Sequence, residues 1–207
     1  MAGSFEMGGE KFVSRGGIKL ARALDQFKID PAESICADLG ANVGGFTDCL
    51  LRRGAAKVYA IDTGYGVLDY RLRRDDRVAV MERTNALHVQ LPELCDLVVI
   101  DLGWTPQRLI LPKARELIKP AGRIITLAKP QYEAPRDWLK AGKLSLEQTQ
   151  KVISTLLAAI PEWGLNVVEW VESPIRGRGG NYEYLVLLDR PDRRAEETKR
   201  TINDEKV

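Results

Sequence analysis

The feature that most constrains this chain is a rhythm. Short apolar runs at 35–39 ("ICADL"), 58–61 ("VYAI"), 78–81 ("VAVM"), 97–100 ("LVVI") and 123–128 alternate with helical patterns at 45–53, 66–74, 107–118 and 145–160. Strands without polar alternation are buried on both faces, and strands separated by helices form βαβ units, so a mostly parallel sheet covered on both sides is predicted. An apolar face over residues 16–27, with Ser14 as its cap, predicts a helix ahead of the first strand. After the last helix the rhythm breaks. "LNVVEWVES" and "YEYLVLLD" follow one another with only "PIRGRGGN" near their junction, which predicts an antiparallel hairpin at the sheet edge. Residues 1–13 read as an irregular segment, 14–190 as one domain, and 191–207 as a charged, frayed tail.

In such a sheet, ligands sit at the carboxyl ends of the strands, where the strand order reverses. The first βα junction, Asp38-Leu39-Gly40-Ala41-Asn42-Val43-Gly44-Gly45-Phe46, carries glycines that let the backbone approach a ligand, followed by a helix start with free N–H groups. The next strand ends at Asp62, placed to accept the hydroxyls of a ribose. Sites for S-adenosylmethionine and for NAD share this pattern. Asn42 stands where a dinucleotide fingerprint needs its central glycine, which disfavours a pyrophosphate. Lys129 ends an apolar strand, where an unpaired ammonium is costly and so needs a reason.

Net charge is only +2, so any attraction to nucleic acid must come from a local patch. Cys36, Cys49 and Cys95 have neither C-x-x-C spacing nor clustered histidines, so no metal site is expected and a reducing, cytoplasmic setting is. No apolar run is long enough for a membrane span.

The segments "SRGGIKLARAL", "DLGANVGGFTDCLLRRGAAKVYAIDTGYG", "ERTNA", "DLVVIDL", "AKPQYE" and "SPIRGRGGNYEYLV" together resemble the FtsJ-like ribose 2′-O-methyltransferases, in particular their TlyA-type, hemolysin-labelled branch. The resemblance implies a class I, Rossmann-like methyltransferase fold with a seven-stranded sheet, S-adenosylmethionine as cofactor, and RNA, specifically ribosomal RNA or ribosomal subunits, as partner. It also implies a Lys-Asp-Lys-Glu tetrad at Lys19, Asp101, Lys129 and Glu183. Lys129 would be the general base for a hydroxyl that is a poor nucleophile at neutral pH, with Lys19 nearby and the two carboxylates orienting the lysines. The implied cofactor site comprises Asp38, Gly40, Ala41, Asn42, Gly44, Gly45, Phe46, Asp62, Thr84, Asn85 and Asp101. Arg15, Arg176 and Arg178 would form a basic rim for RNA phosphates, and Trp104 and Tyr132 would stack on a base or pack together. That branch usually carries an amino-terminal S4 RNA-binding domain, whereas about a dozen residues precede the first motif here. A small-molecule methyltransferase, a noncatalytic RNA-binding or hemolysin-like protein, and an NAD dehydrogenase are the competing readings.

Overall fold

The computed structural model describes residues 5–7, 10–177 and 179–191. Arg178 and the tail from 192 onward lie outside the described residues. The segment read as irregular opens with two short antiparallel strands, β1 (Phe5–Met7) and β2 (Glu10–Phe12). Helix α1 (Arg15–Phe27) follows, its Ser14 cap accepting from the Gly16 N–H. Then come β3 (Ile35–Leu39), α2 (Gly45–Arg52), β4 (Lys57–Ile61), α3 (Tyr70–Arg73), β5 (Val78–Met81), β6 (Cys95–Ile100), α4 (Gln107–Leu117), β7 (Ile118–Ala128), α5 (Pro130–Glu133), α6 (Leu146–Ala159), β8 (Asn166–Glu172) and β9 (Tyr184–Asp189).

Seven strands form one sheet in the order β5-β4-β3-β6-β7-β9-β8, parallel from β5 to β7. The predicted α/β architecture with an antiparallel carboxyl-terminal pair is therefore present. At that edge β9 inserts between β7 and β8, so the last strand is interior and β8 is outermost. Burial explains the order. All six residues of β9 are buried, whereas β8 alternates half-buried and exposed residues, the pattern of a strand with one wet flank.

Successive residues of the central strands serve two cores. Leu97, Val99, Ile125, Leu185 and Leu187 face α1 and α2, packing with Leu20, Leu24, Phe46 and Leu50. Val98, Ile100, Ile124, Val186 and Leu188 face α4 and α6, packing with Ile110, Leu111, Ile153 and Leu156. This is why the strands read as unbroken apolar runs. The helix expected over 66–74 is a single turn capped by Asp69, because only Leu68 and Leu72 there are buried and two apolar anchors do not sustain a longer amphipathic face.

The amino ends of α1 and α2 approach one another closely. A Cβ at Gly45 would lie 2.2 Å from Ser14 Oγ, 2.9 Å from the Gly17 nitrogen and 3.0 Å from Gly16 Cα. Backbone cannot rotate away as a side chain can, so Gly45→Ala should destabilise the fold by about 1–3 kcal/mol in urea denaturation. Gly103→Ala, with nothing within 4 Å of its added methyl, should stay within about 0.5 kcal/mol of the wild type.

Candidate active site

β3 runs between β4 and β6, and the chain crosses from one side of it to the other, so the order reverses beside its carboxyl end. Register then assembles the site. Leu39 pairs with Ile100, which sets Gly40 against Asp101, so closely that a Cβ on Gly40 would lie 2.7 Å from the Asp101 carbonyl oxygen. Gly40 has φ +94°, a conformation other residues rarely adopt. Ala128 pairs with Tyr184 across the antiparallel β7/β9 ladder, so Lys129 and Glu183 leave adjacent strands at the same edge.

Lys19, Asp101, Lys129 and Glu183 all line one cleft of about 530 Å³. They form two ion pairs. Lys19 Nζ lies 2.5 Å from Glu183 Oε2, both side chains being nearly shut off from solvent. Lys129 Nζ lies 2.5 Å from Asp101 Oδ1 and donates to the Leu102 carbonyl at 3.0 Å. The strand-end lysine is thus partnered at both available acceptors, which limits the cost of its partial burial. Gly177 matters here and gave no sign in the sequence beyond a glycine-rich loop: a Cβ there would lie 2.2 Å from Glu183 Oε1. Gln131 also lines the cleft, and its buried Oε1 has no partner among the described residues.

The expected cofactor residues lie along a continuous trough. Asp38, Gly40, Ala41, Asn42, Gly45, Phe46 and Asp101 line the cleft, and a neighbouring recess of about 280 Å³ shares Gly40, Asn42 and Asp101 with it and adds Asp62, Thr84 and Asn85. Gly44 sits just behind, at φ +101°, where a Cβ would lie 2.3 Å from Leu72 Cδ1. Asp62 accepts from the Asn42 N–H at 2.8 Å and the Gly64 N–H at 2.7 Å, fixing its carboxylate at the junction of cleft and recess. The Thr84 hydroxyl donates to the Glu82 carbonyl, and the Asn85 side-chain oxygen accepts from the Leu87 N–H, leaving the Asn85 amide group for a ligand.

Asp38 is fully buried. Its Oδ2 accepts from the Thr47 N–H at 2.9 Å and hydroxyl at 2.7 Å, while Oδ1 has no partner among the described residues. Desolvation pushes its pKa up to about 7, against the opposing Thr47 hydrogen bonds and aided by the nearby Asp101 and Asp62 charges. An acceptor orphaned inside a cleft wall fits the ammonium of an amino-acid group, as S-adenosylmethionine would bring. Thr47 escaped the sequence reading, although a threonine in the first turn of the helix following that aspartate was a local signal.

Among the basic candidates, Arg15 lines the cleft. Arg176 does not. Its guanidinium lies 3.1 Å from the Tyr182 ring centroid and 3.4 Å from Glu172, so it is engaged in a surface stack and ion pair. Trp104 and Tyr132 do meet, with ring centroids 4.8 Å apart, at the mouth of the cleft, and Trp104 is 83% exposed.

Comparison with known proteins adds an independent observation. A family model described as "FtsJ-like methyltransferase" matches residues 12–190. A Bacillus subtilis protein provisionally named rRNA methyltransferase YqxC is 38% identical over 189 residues, 87% of this chain and 66% of that protein. The 16S/23S rRNA (cytidine-2′-O)-methyltransferase TlyA of Mycobacterium tuberculosis is 40% identical over 183 residues, 86% of this chain and 68% of that protein. The chain therefore spans about two thirds of the length of these relatives. A Streptococcus thermophilus structure provisionally described as a hemolysin superposes with TM-score 0.84 at 32% identity, covering 98% of this chain and 79% of that one.

The Asp38 environment yields a signed prediction. Its folded pKa of about 7 exceeds the unfolded value of 3.8, so the folded protein retains a proton that the unfolded chain releases between those values; the group favours folding at low pH and withdraws that support as pH rises towards 7. A cationic ligand group facing Asp38 would expel the proton. S-adenosylhomocysteine titrations should thus show affinity rising with pH up to about 7, with proton release in buffers of differing ionisation enthalpy, and Asp38→Asn should abolish both. Asp62→Ala should weaken the same binding at every pH and, by removing a negative charge that raises the Asp38 pKa, move the proton release to lower pH.

Proposed function

The chain belongs to the FtsJ-like methyltransferase family, and from that premise we propose that it methylates the ribose 2′-hydroxyl of an RNA, with ribosomal RNA as the substrate class. The methyl donor is S-adenosylmethionine, which supplies an electrophilic sulfonium methyl group when bound. Asp38 would hold its ammonium, the 40–45 turn its amino-acid portion, Asp62 its ribose, and the recess beside Thr84 and Asn85 its base.

The observation that carries the proposal is the convergence of two lysine–carboxylate pairs on one cleft floor. The chain's own part in the reaction is proton handling and positioning. Lys129 takes part as the neutral amine, its ammonium having first given a proton to solvent; Nζ then receives the 2′-hydroxyl proton as the oxygen attacks, and Asp101 holds that nitrogen at the end of β7. Lys19 and Glu183, locked together beneath it, fix the second wall and bring a further cation near the oxygen as negative charge develops there. Arg15 at the rim suits a phosphate, and the exposed Trp104 ring on Tyr132 suits a nucleobase displaced from its stack. A small-molecule methyltransferase would instead enclose its substrate, whereas the Trp104 side of this cleft stands open. The hemolysin-like reading gains nothing from the described helices, none of which is long and apolar enough to cross a membrane.

Incubation with labelled S-adenosylmethionine and ribosomal RNA, followed by mapping of ribose methylation, tests the proposal; label in no RNA fraction would defeat it. On a verified substrate, Lys129→Ala should slow single-turnover methyl transfer about 10²–10⁴-fold while S-adenosylhomocysteine affinity is retained. Lys129→Arg should not rescue, since guanidinium stays protonated; an arginine variant as fast as wild type would reduce Lys129 to a positioning cation.

A further inference from the structure

A second groove, separate from the cleft, lies where the segment after α5 turns into α6. It encloses about 570 Å³ and is lined by Trp138, Lys140, Lys143, Leu144, Ser145, Glu147, Gln148 and Lys151. Its construction is ordered. Lys140 and Lys143 pair as a two-residue hairpin in both directions, at 2.9 and 3.0 Å, around Ala141 and Gly142, both left-handed. Ser145 and Gln148 then close a capping box on α6.

Three lysines face a single carboxylate, Glu147, in this groove. Lys140, Lys143 and Lys151 are all exposed, and among the described residues none of the three makes an ion pair. Lys151 instead lies 5.3 Å from the Trp138 ring centroid. Several cations elsewhere on this surface are neutralised locally, as with Arg71 and Asp69, Arg77 and Asp75, or Lys119 and Asp96, whereas here three unpaired lysines share one groove. Unneutralised lysines grouped against an aromatic wall are the chemistry that tracks a phosphate backbone beside a base.

The groove is joined to the cleft. Asn181 donates to the Gly142 carbonyl at 2.9 Å, and Lys143 Nζ lies within 3.6 Å of where a Cβ on Gly180 would be. Gly177 and Asn181 bond to one another, and Gly177 abuts Glu183 at the cleft floor. One short loop thus touches the lysine hairpin at one end and the Lys19–Glu183 pair at the other.

We infer that this groove is a second anchoring surface that grips the RNA strand flanking the methylated nucleotide, through Lys140, Lys143 and Lys151. The inference rests on the RNA-methylating reading above. RNA is favoured over an acidic protein segment because the groove adjoins the site at which a nucleotide must be presented, and because it sets one of its cations, Lys151, against an indole face.

The test compares wild type with Lys140→Gln/Lys143→Gln, and with Lys28→Gln/Lys119→Gln, which removes two charges outside the groove. Affinity for a fluorescein-labelled single-stranded RNA is measured by anisotropy across a salt series, alongside single-turnover methylation of ribosomal RNA. S-adenosylhomocysteine binding serves as the check on folding. The groove variant should bind RNA about 5- to 10-fold more weakly, lower the slope of log affinity against log salt by about 1.4, and raise the half-saturating RNA concentration without changing the saturated rate. Unchanged affinity and slope in a variant that still methylates would overturn the groove and leave the methylation reading intact. Equal losses in the two variants would overturn it as well, by making the effect one of net charge. Retained RNA binding with lost binding to polyglutamate would reassign the groove to an acidic protein segment. Failure of wild type to methylate any RNA would overturn both readings.

Discussion

The antiparallel ladder between β7 and β9 is the constraint on which the site depends. With parallel pairing, the residue before β9 would emerge at the opposite edge of the sheet from Lys129. Because β9 runs backwards, Ala128 opposes Tyr184, and the residues just beyond them, one following its strand and one preceding it, open on the same cleft. The ladder is itself stabilised by complete burial of β9, so the apolar character of "YLVLLD" indirectly positions a carboxylate that is not part of the strand.

Charge burial is managed by pairing rather than by exposure. Lys19 and Glu183 are more enclosed than Lys129 and Asp101, and removing one member of such a pair leaves an uncompensated charge, at a cost of about 3–5 kcal/mol. The two pairs thus differ in their tolerance: the inner one is bound to folding, and the outer one is more open to solvent. Asp38 departs from this scheme. It is buried beside two other carboxylates and partnered on one oxygen only, an arrangement that folding disfavours and a cationic ligand would relieve.

The sequence carried the site where function follows from strand ends. Asp62, Asp101 and Lys129 each follow an apolar run and Asp38 sits one residue before the end of one, and the architecture alone sends them to one edge. It carried less where function depends on which strands are neighbours. The insertion of β9 inside β8 is a long-range choice made by relative burial, invisible to the local pattern of either strand. Gly177 illustrates a different kind of loss: its requirement comes from a carboxylate six residues away that folds back onto it, so no local turn signal marks it. Arg176 looked like part of a basic rim because it is close to Glu183 in sequence, but the stack on Tyr182 and the ion pair with Glu172 engage it elsewhere. The expected helix at 66–74 failed for want of apolar anchors rather than for want of helix-forming residues.

The close approach of Gly45 to Ser14 and Gly17 has an electrostatic consequence. It brings the amino ends of two helices, α1 with thirteen residues and α2 with eight, together beside the same trough. Each helix places about half a positive charge at that end through its aligned peptide dipoles. The backbone therefore adds a positive contribution to a trough that also holds Asp38, Asp62 and Asp101, a contribution that does not titrate and cannot be removed by replacing any surface side chain. A chain whose net charge is only +2 can in this way offset part of the trough's carboxylate charge with a field that the fold itself supplies.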